Sequence, residues 1–156
     1  MRVPFLDLKW QHDVIKDVLA KRFAEIFDST AFVGGKMVED FEKSFADYLG
    51  VKYAAGVANG TDALRLSLEV LGIGKGDEVI TIPTTFIATA SVIHYVGAKP
   101  VFADIDPETR DFNFKLLEKS IISRTKAIIP VHLYGQPARM DKILEIAKRH
   151  SLKMVE

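Results

Sequence analysis

The run Asn59-Gly60-Thr61-Asp62 has the residue types and spacing to hold an anion. Asn59 and Gly60 are turn formers, and Gly60 can take backbone angles closed to other residues. Thr61 and Asp62 suit the first turn of a helix, and Leu64, Leu66, Leu68 and Leu71 follow. A helix starting here, straight after the apolar run at 53–58, aims unpaired N–H groups and a partial positive charge outward. A phosphate binds readily at such an end. An ordinary strand–helix turn has the same local pattern, and most such turns bind nothing. A second turn, Pro83-Thr84-Thr85-Phe86, offers an aromatic where a strand stops, and Asp104 and His132 close two further predicted strands. A phosphate turn and an exposed aromatic on neighbouring strand ends suggest a flat, phosphorylated ligand. The glycine-rich Gly72-Ile73-Gly74-Lys75-Gly76-Asp77 lacks phosphate-loop spacing and follows a helix, so it reads as a tight surface turn.

The elements that must position these residues are legible from periodicity. Met1 to Lys9 is extended and apolar. Val14, Ile15, Val18, Leu19, Phe23, Ile26 and Phe27 recur at helical spacing over about five turns. After the loop Thr30-Ala31-Phe32-Val33-Gly34-Gly35, a second amphipathic helix should turn Val38, Phe41, Phe45, Tyr48 and Leu49 inward and stop at Gly50. Strands are predicted at 53–58, 78–82, 101–105, 126–132 and 152–156, alternating with helices that start near residues 60, 86, 113 and 140. Five strands alternating with four helices argue for an α/β, three-layer αβα fold with a mostly parallel sheet. Ligands of such sheets lie beyond the carboxyl ends of the strands. The expected division is a helical segment over residues 1–50 and an α/β core over 51–156. The last strand breaks off at Glu156, which reads as a chain only partly present.

Composition narrows the class. The chain has 156 residues, and its 21 basic and 21 acidic groups balance, so nucleic acid is not an expected partner. No apolar run approaches a membrane span, and the N-terminus does not read as a signal peptide. A cytoplasmic location follows by default. There are no cysteines, which removes disulfides and thiol chemistry. His12, His94, His132 and His150 show no metal-site spacing, so no metal is expected.

Several pieces, in order, carry a resemblance. They are Val3-Pro4-Phe5-Leu6-Asp7-Leu8, Val33-Gly34-Gly35-Lys36, Asn59-Gly60-Thr61-Asp62-Ala63-Leu64 and Gly76-Asp77-Glu78-Val79-Ile80. Pro83-Thr84-Thr85-Phe86, Pro100-Val101-Phe102-Ala103-Asp104-Ile105-Asp106 and Pro130-Val131-His132-Leu133-Tyr134-Gly135-Gln136-Pro137 follow. Together they resemble the front part of the DegT/StrS family of sugar aminotransferases, pyridoxal-phosphate (PLP) enzymes of fold type I. The resemblance implies that the chain is part of the large domain. It implies that Gly60, Thr61 and Asp62 hold the cofactor phosphate through backbone N–H groups and the Thr61 hydroxyl, and that Phe86 stacks on the pyridine ring. The alternative for Phe86 is a core aromatic. His132 is expected beneath the ring or as a structural histidine. Gly34 and Gly35, with the segment from Phe5 to Leu8, are expected near the substrate in a homodimer with shared sites.

The family's aspartate that pairs with the pyridine nitrogen, and the lysine that binds the cofactor, would both follow Glu156. The implied reaction of the intact enzyme is amino transfer from glutamate to a ketone on a nucleotide-linked deoxysugar. The 156 residues alone are expected to bind cofactor weakly and not to turn over, and to associate through uncovered apolar edges. The alternatives are a sugar dehydratase of the same fold and cofactor, with histidine in place of that lysine, and a non-catalytic module. A dinucleotide-binding domain is disfavoured, because no Gly-x-Gly-x-x-Gly follows the first strand.

Overall fold

The structure, a computed structural model, describes residues 3–156; the reading of Met1 and Arg2 as part of the extended leader lies outside them. The chain forms two compact units, Met1–Gly56 and Val57–Glu156. Among the described residues no helix is long and apolar enough to cross a membrane, and no group of three or more side chains could hold a metal ion.

The first unit holds α1 (Lys9–Ser29) and α2 (Lys36–Leu49). Helix α1 stops where Thr30 turns left-handed, φ 55°. Helix α2 stops at Gly50, whose φ of 68° suits glycine and whose N–H closes on Ala46 and Asp47 carbonyls, as its sequence predicts. The periodicity correctly marks both helices, but the expected inward faces are not covered. Val38, Phe41, Phe45, Tyr48 and Leu49 are all exposed, α1 buries nothing, and Ala46 is the one buried residue of α2. An amphipathic stripe is buried only if an opposing surface exists, and within the first unit the described residues supply none.

The predicted strand at 53–58 is a second correction, for the segment is exposed and pairs with no strand. A strand exists only where a neighbour takes its N–H and C=O groups. Here the segment is tied to α2 instead, with Val51 N–H on Ala46 O at 3.0 Å and Gly56 N–H on Glu42 Oε1 at 2.7 Å. Four strands form rather than five.

The second unit runs α3 (Gly60–Val70), β1 (Glu78–Thr81), α4 (Ile87–Tyr95), β2 (Lys99–Phe102), α5 (Phe114–Lys119), β3 (Thr125–Ile128), α6 (Met140–Arg149) and β4 (Lys153–Met154). The sheet order is β2-β1-β3-β4, with every pair parallel. Period-two alternation sends successive side chains to opposite faces. Val79, Ala127, Ile129 and Val155 join Leu68 of α3 and Val92 and Ile93 of α4 on one side. Ile80, Ile128 and Ile82 join Leu117 of α5 and Ile143, Ile146 and Ala147 of α6 on the other. The result is the three-layer αβα arrangement expected. Central β1 is buried throughout, whereas β2 lies at an edge, where Pro100 disrupts no ladder.

Strand β3 is shorter than its apolar run implies. Ile129 N–H still reaches Ile80 O at 2.8 Å, and Pro130, which faces β4 as Ile128 does, has no N–H to extend the pairing on that side. At the amino edge, buried Glu78 accepts from Arg124 at 3.1 Å and Lys99 at 3.3 Å. The Arg124 hydrogen bond, joined by Lys99, holds the Glu78 carboxyl below its ordinary value of 4.5 against the opposing effect of burial.

Candidate functional site

Strand direction decides which helix ends share an edge. Helix α4 follows β1 and so begins at the carboxyl edge of the sheet. Helix α3 precedes β1 and ends in the Gly72–Asp77 turn at the amino edge, so its N-terminus also opens at the carboxyl edge. The glycine-rich turn is thereby on the wrong side for a strand-end ligand. It is closed on itself, with Gly74 N–H on Asp77 Oδ2 at 3.0 Å and Asp77 N–H on Gly74 O at 3.0 Å.

At the start of α3 the side chain that caps the helix is Asn59. It is extended, φ −168° and ψ 174°, and its Oδ1 accepts from Asp62 N–H at 2.9 Å. Asn59 Nδ2 also donates to Asp62 Oδ2 at 3.3 Å. Ala63 N–H closes the first intrahelical bond, on Asn59 O at 3.0 Å. Among the described residues, the N–H groups of Gly60 and Thr61 meet no acceptor. Gly60 is helical and does not use a positive φ, so the freedom expected of it is not what the turn exploits. A side chain there would meet nothing within 4 Å, so the glycine keeps the approach to these amides open. Two free amides, a neighbouring hydroxyl and the positive end of a helix dipole fit a phosphate. The Asp62 N–H joins them only when Asn59 releases it. Thr61 and Asp62 stand in the first turn, as their types suggest, but the cap itself is Asn59. The signal that sequence reasoning passed over is the asparagine three residues before Asp62.

Phe86 occupies the N-cap position of α4 with extended backbone, and its side chain is 75% exposed. It is therefore not a core aromatic, and its ring is available to stack. Below it, the Thr85 and Thr89 hydroxyls pair at 2.9 Å and steady the start of the helix. Asp104, after β2, turns back on the chain: its Oδ1 accepts from Ile105 N–H at 2.8 Å and its carbonyl from Asn113 N–H at 3.0 Å. It is committed to the turn that carries Asn113, whose own side chain caps α5 as predicted.

His132 lies beyond β3 with Nδ1 hydrogen-bonded and Nε2 beside a carboxylate. Nδ1 accepts from Ala138 N–H at 3.0 Å, so the neutral ring carries its proton on Nε2, 3.3 Å from Glu156 Oε2. The turn between holds Tyr134 in left-handed backbone, φ 57°, with Arg110 over its ring at 5.5 Å. These two residues, with Arg139 and Asp111, border a cavity of about 350 Å³. Gly34 and Gly35 belong to the first unit, in the loop between α1 and α2. Both have positive φ and open space where a side chain would be.

Comparison with known proteins places this arrangement. A model of the DegT/DnrJ/EryC1/StrS aminotransferase family matches residues 13–156. The chain belongs to that family. It is 46% identical over 156 residues to a pleiotropic regulatory protein of Geobacillus stearothermophilus, covering 100% of this chain and 42% of that protein. It is 44% identical over 154 residues to the UDP-2-acetamido-2-deoxy-3-oxo-D-glucuronate aminotransferase of Pseudomonas aeruginosa, covering 99% of this chain and 43% of that one. The crystal structure of Streptomyces venezuelae DesV in complex with a ketimine intermediate superposes with a TM-score of 0.94 at 43% identity, over 99% of this chain and 42% of DesV. Bacillus subtilis NtdA, solved with bound cofactor pyridoxamine phosphate (PMP), superposes with a TM-score of 0.90 at 36% identity, over 98% of this chain and 35% of NtdA. The chain thus spans well under half the length of these relatives.

Proposed function

We propose that the whole protein is a PLP-dependent aminotransferase that moves an amino group from glutamate to the ketone of a nucleotide-linked deoxysugar. The observation that carries this reading is the pair of acceptor-free amides, Gly60 and Thr61, on the same sheet edge that exposes Phe86. Family membership and the aminosugar enzymes among the relatives support it.

When bound, PLP supplies an electron sink for the carbon that carries the amino group. The residues of this chain hold and orient it. Gly60 and Thr61 donate their N–H groups to the phosphate, with the Thr61 hydroxyl beside them, and Asp62 adds its own amide once Asn59 lets go. Phe86 offers a flat apolar face that fixes the plane of the ring and keeps water from that side. Gly34 and Gly35 leave room for the substrate. Residues 51–156 make up the cofactor-binding core and residues 1–50 a helical segment of the large domain. The protein works as a homodimer in the cytoplasm, and the exposed apolar faces of α1 and α2 are where its further contacts form. The 156 residues alone do not turn over.

Titration of the whole protein with PLP, followed by absorbance, tests the site. Phe86→Ala should weaken binding about tenfold, the scale of one aromatic contact. Unchanged affinity would remove Phe86 from the site. Glutamate-dependent amination of keto-deoxysugar nucleotides tests the reaction, and sedimentation tests the dimer. Amination by the 156-residue chain alone would overturn the last of these statements.

A further inference from the structure

His132 joins three chain segments that are distant in sequence. It ends the run after β3, its Nδ1 accepts the N–H of Ala138 at the entry to α6, and its Nε2 faces the carboxylate of Glu156 after β4. The Ala138 bond settles the ring's chemistry. An N–H aimed at Nδ1 requires a lone pair there, so the neutral ring must be the Nε2–H form, which carries its N–H on the side of Glu156. One residue thereby bonds to the entry of α6 and sets its Nε2 within 3.3 Å of the Glu156 carboxylate. Asp111 also reaches the entry to α6, through Arg139 N–H, whereas Asp104 bonds only to its own turn and Asn59 only to its own helix.

The backbone around His132 needs such a tie. Ile129 N–H on Ile80 O is the last backbone bond from β3 to β1, and Pro130, which faces the β4 side like Ile128, has no N–H to offer β4. The last pairing of β4 is Val155 N–H on Ile128 O, at 3.2 Å. The carboxyl ends of both strands therefore extend past the sheet's own hydrogen bonds, on the edge where ligands of parallel sheets bind. The turn between His132 and Ala138 also holds Tyr134 and Gly135 in left-handed backbone, closed by Gln136 N–H on Leu133 O at 2.9 Å.

We propose that His132, as the Nε2–H tautomer, is a positioning residue that fixes the ends of β3 and β4 and the entry to α6 in one frame at the cofactor edge. It acts through Ala138 and Glu156 and makes no contact with the reacting atoms. The inference rests on the reading of that edge as the cofactor site, and its test separates the two.

The experiment combines imidazole ¹⁵N NMR of the whole protein with PLP affinity and the circular dichroism of bound PLP, for wild type and four variants. The expected NMR result is an unprotonated Nδ1 and a protonated Nε2. His132→Ala removes both ties and should weaken PLP binding about tenfold, with an altered cofactor dichroism. His132→Asn keeps an acceptor near Nδ1 and should lose part of that. Glu156→Gln keeps an acceptor for Nε2–H and should behave as wild type, whereas Glu156→Ala should reproduce the partial loss. The two Glu156 variants leave the Ala138 bond in place, so they decide the question if His132→Ala fails to fold. A ring protonated on Nδ1 overturns the tie itself. Correct NMR with PLP affinity and dichroism unchanged in both alanine variants overturns the positioning role. Correct NMR in a wild-type protein that binds no PLP overturns the cofactor reading, and the positioning role falls with it while the tie stands.

Discussion

Asn59→Ala separates two roles that meet at the start of α3. The side chain accepts the Asp62 N–H at 2.9 Å, and replacing it leaves that amide to water. Loss of an asparagine N-cap costs about 1 kcal/mol, within a range of about 0.5–2. The second contact, Asn59 Nδ2 to Asp62 Oδ2 at 3.3 Å, is exposed and adds little. For a unit the size of Val57–Glu156, 1 kcal/mol corresponds to a fall in Tm of about 4–8 °C. Phosphate should act in the other direction. A ligand that binds only the folded state stabilises it in proportion to ln(1 + [L]/Kd), and Asn59→Ala releases a third amide to the anion. The gain in Tm from inorganic phosphate should therefore equal or exceed that of the wild type. Asn59→Asp completes the comparison, for it keeps the cap and suits the helix dipole but sets a negative charge against the anion. Its second oxygen meets the Asp62 carboxylate, so its Tm in phosphate-free buffer should lie at or slightly below wild type, and it should lose the gain from phosphate. Thermal melts by circular dichroism, with and without phosphate, read all three proteins. An unchanged Tm for Asn59→Ala would refute the cap. A phosphate gain that vanishes in Asn59→Ala but survives in Asn59→Asp would refute the assignment of the anion to the amides.

Two further substitutions probe the frame that carries this end. Glu78→Gln removes the charge that gathers Arg124 and Lys99, and should destabilise the fold by about 1–2 kcal/mol at pH 7, moderated by the exposure of both partners. Because the folded Glu78 carboxyl lies below its ordinary 4.5, its contribution is complete above that value and is lost as pH falls through the folded one. Urea unfolding from pH 7 to pH 3 should show a smaller acid loss in Glu78→Gln than in wild type, and parallel curves would contradict the assignment. Ile128→Ala opens a cavity in the fully buried cluster of the central sheet and should cost about 2–5 kcal/mol in the same assay. A cost below about 1 kcal/mol would mean that this face is not the packed core.

Where the sequence reading succeeded, the signal was local. The stop at Gly50 and the cap at Asn113 each depend on residues within one turn of the position they control. The alternation of strands with helices along the chain forecasts a sheet covered on both faces, and the two apolar clusters divide accordingly. Where it failed, the missing information lay elsewhere in the chain. The run at 53–58 has strand composition, yet Gly56 N–H is taken by Glu42, fourteen residues earlier. The apolar faces of α1 and α2 satisfy the helical period and still find no surface to cover them. Periodicity describes what one element can bury, not whether a partner exists.

By itself the sequence determined the alternation of helices and strands beyond residue 60, the three-layer class, the turn at Asn59-Gly60-Thr61 and the place of Phe86 at a strand end. Each of these follows from backbone preference and side-chain period over a few residues. Only the tertiary structure decided that Asn59 occupies the Asp62 amide while Gly60 and Thr61 stay open, because a hydrogen-bond count needs coordinates. It alone decided that Glu78 collects Lys99 of β2 and Arg124 just before β3, and that His132 accepts from Ala138 while facing Glu156. Those bonds join residues up to 46 positions apart, and no local propensity encodes a partner at that distance.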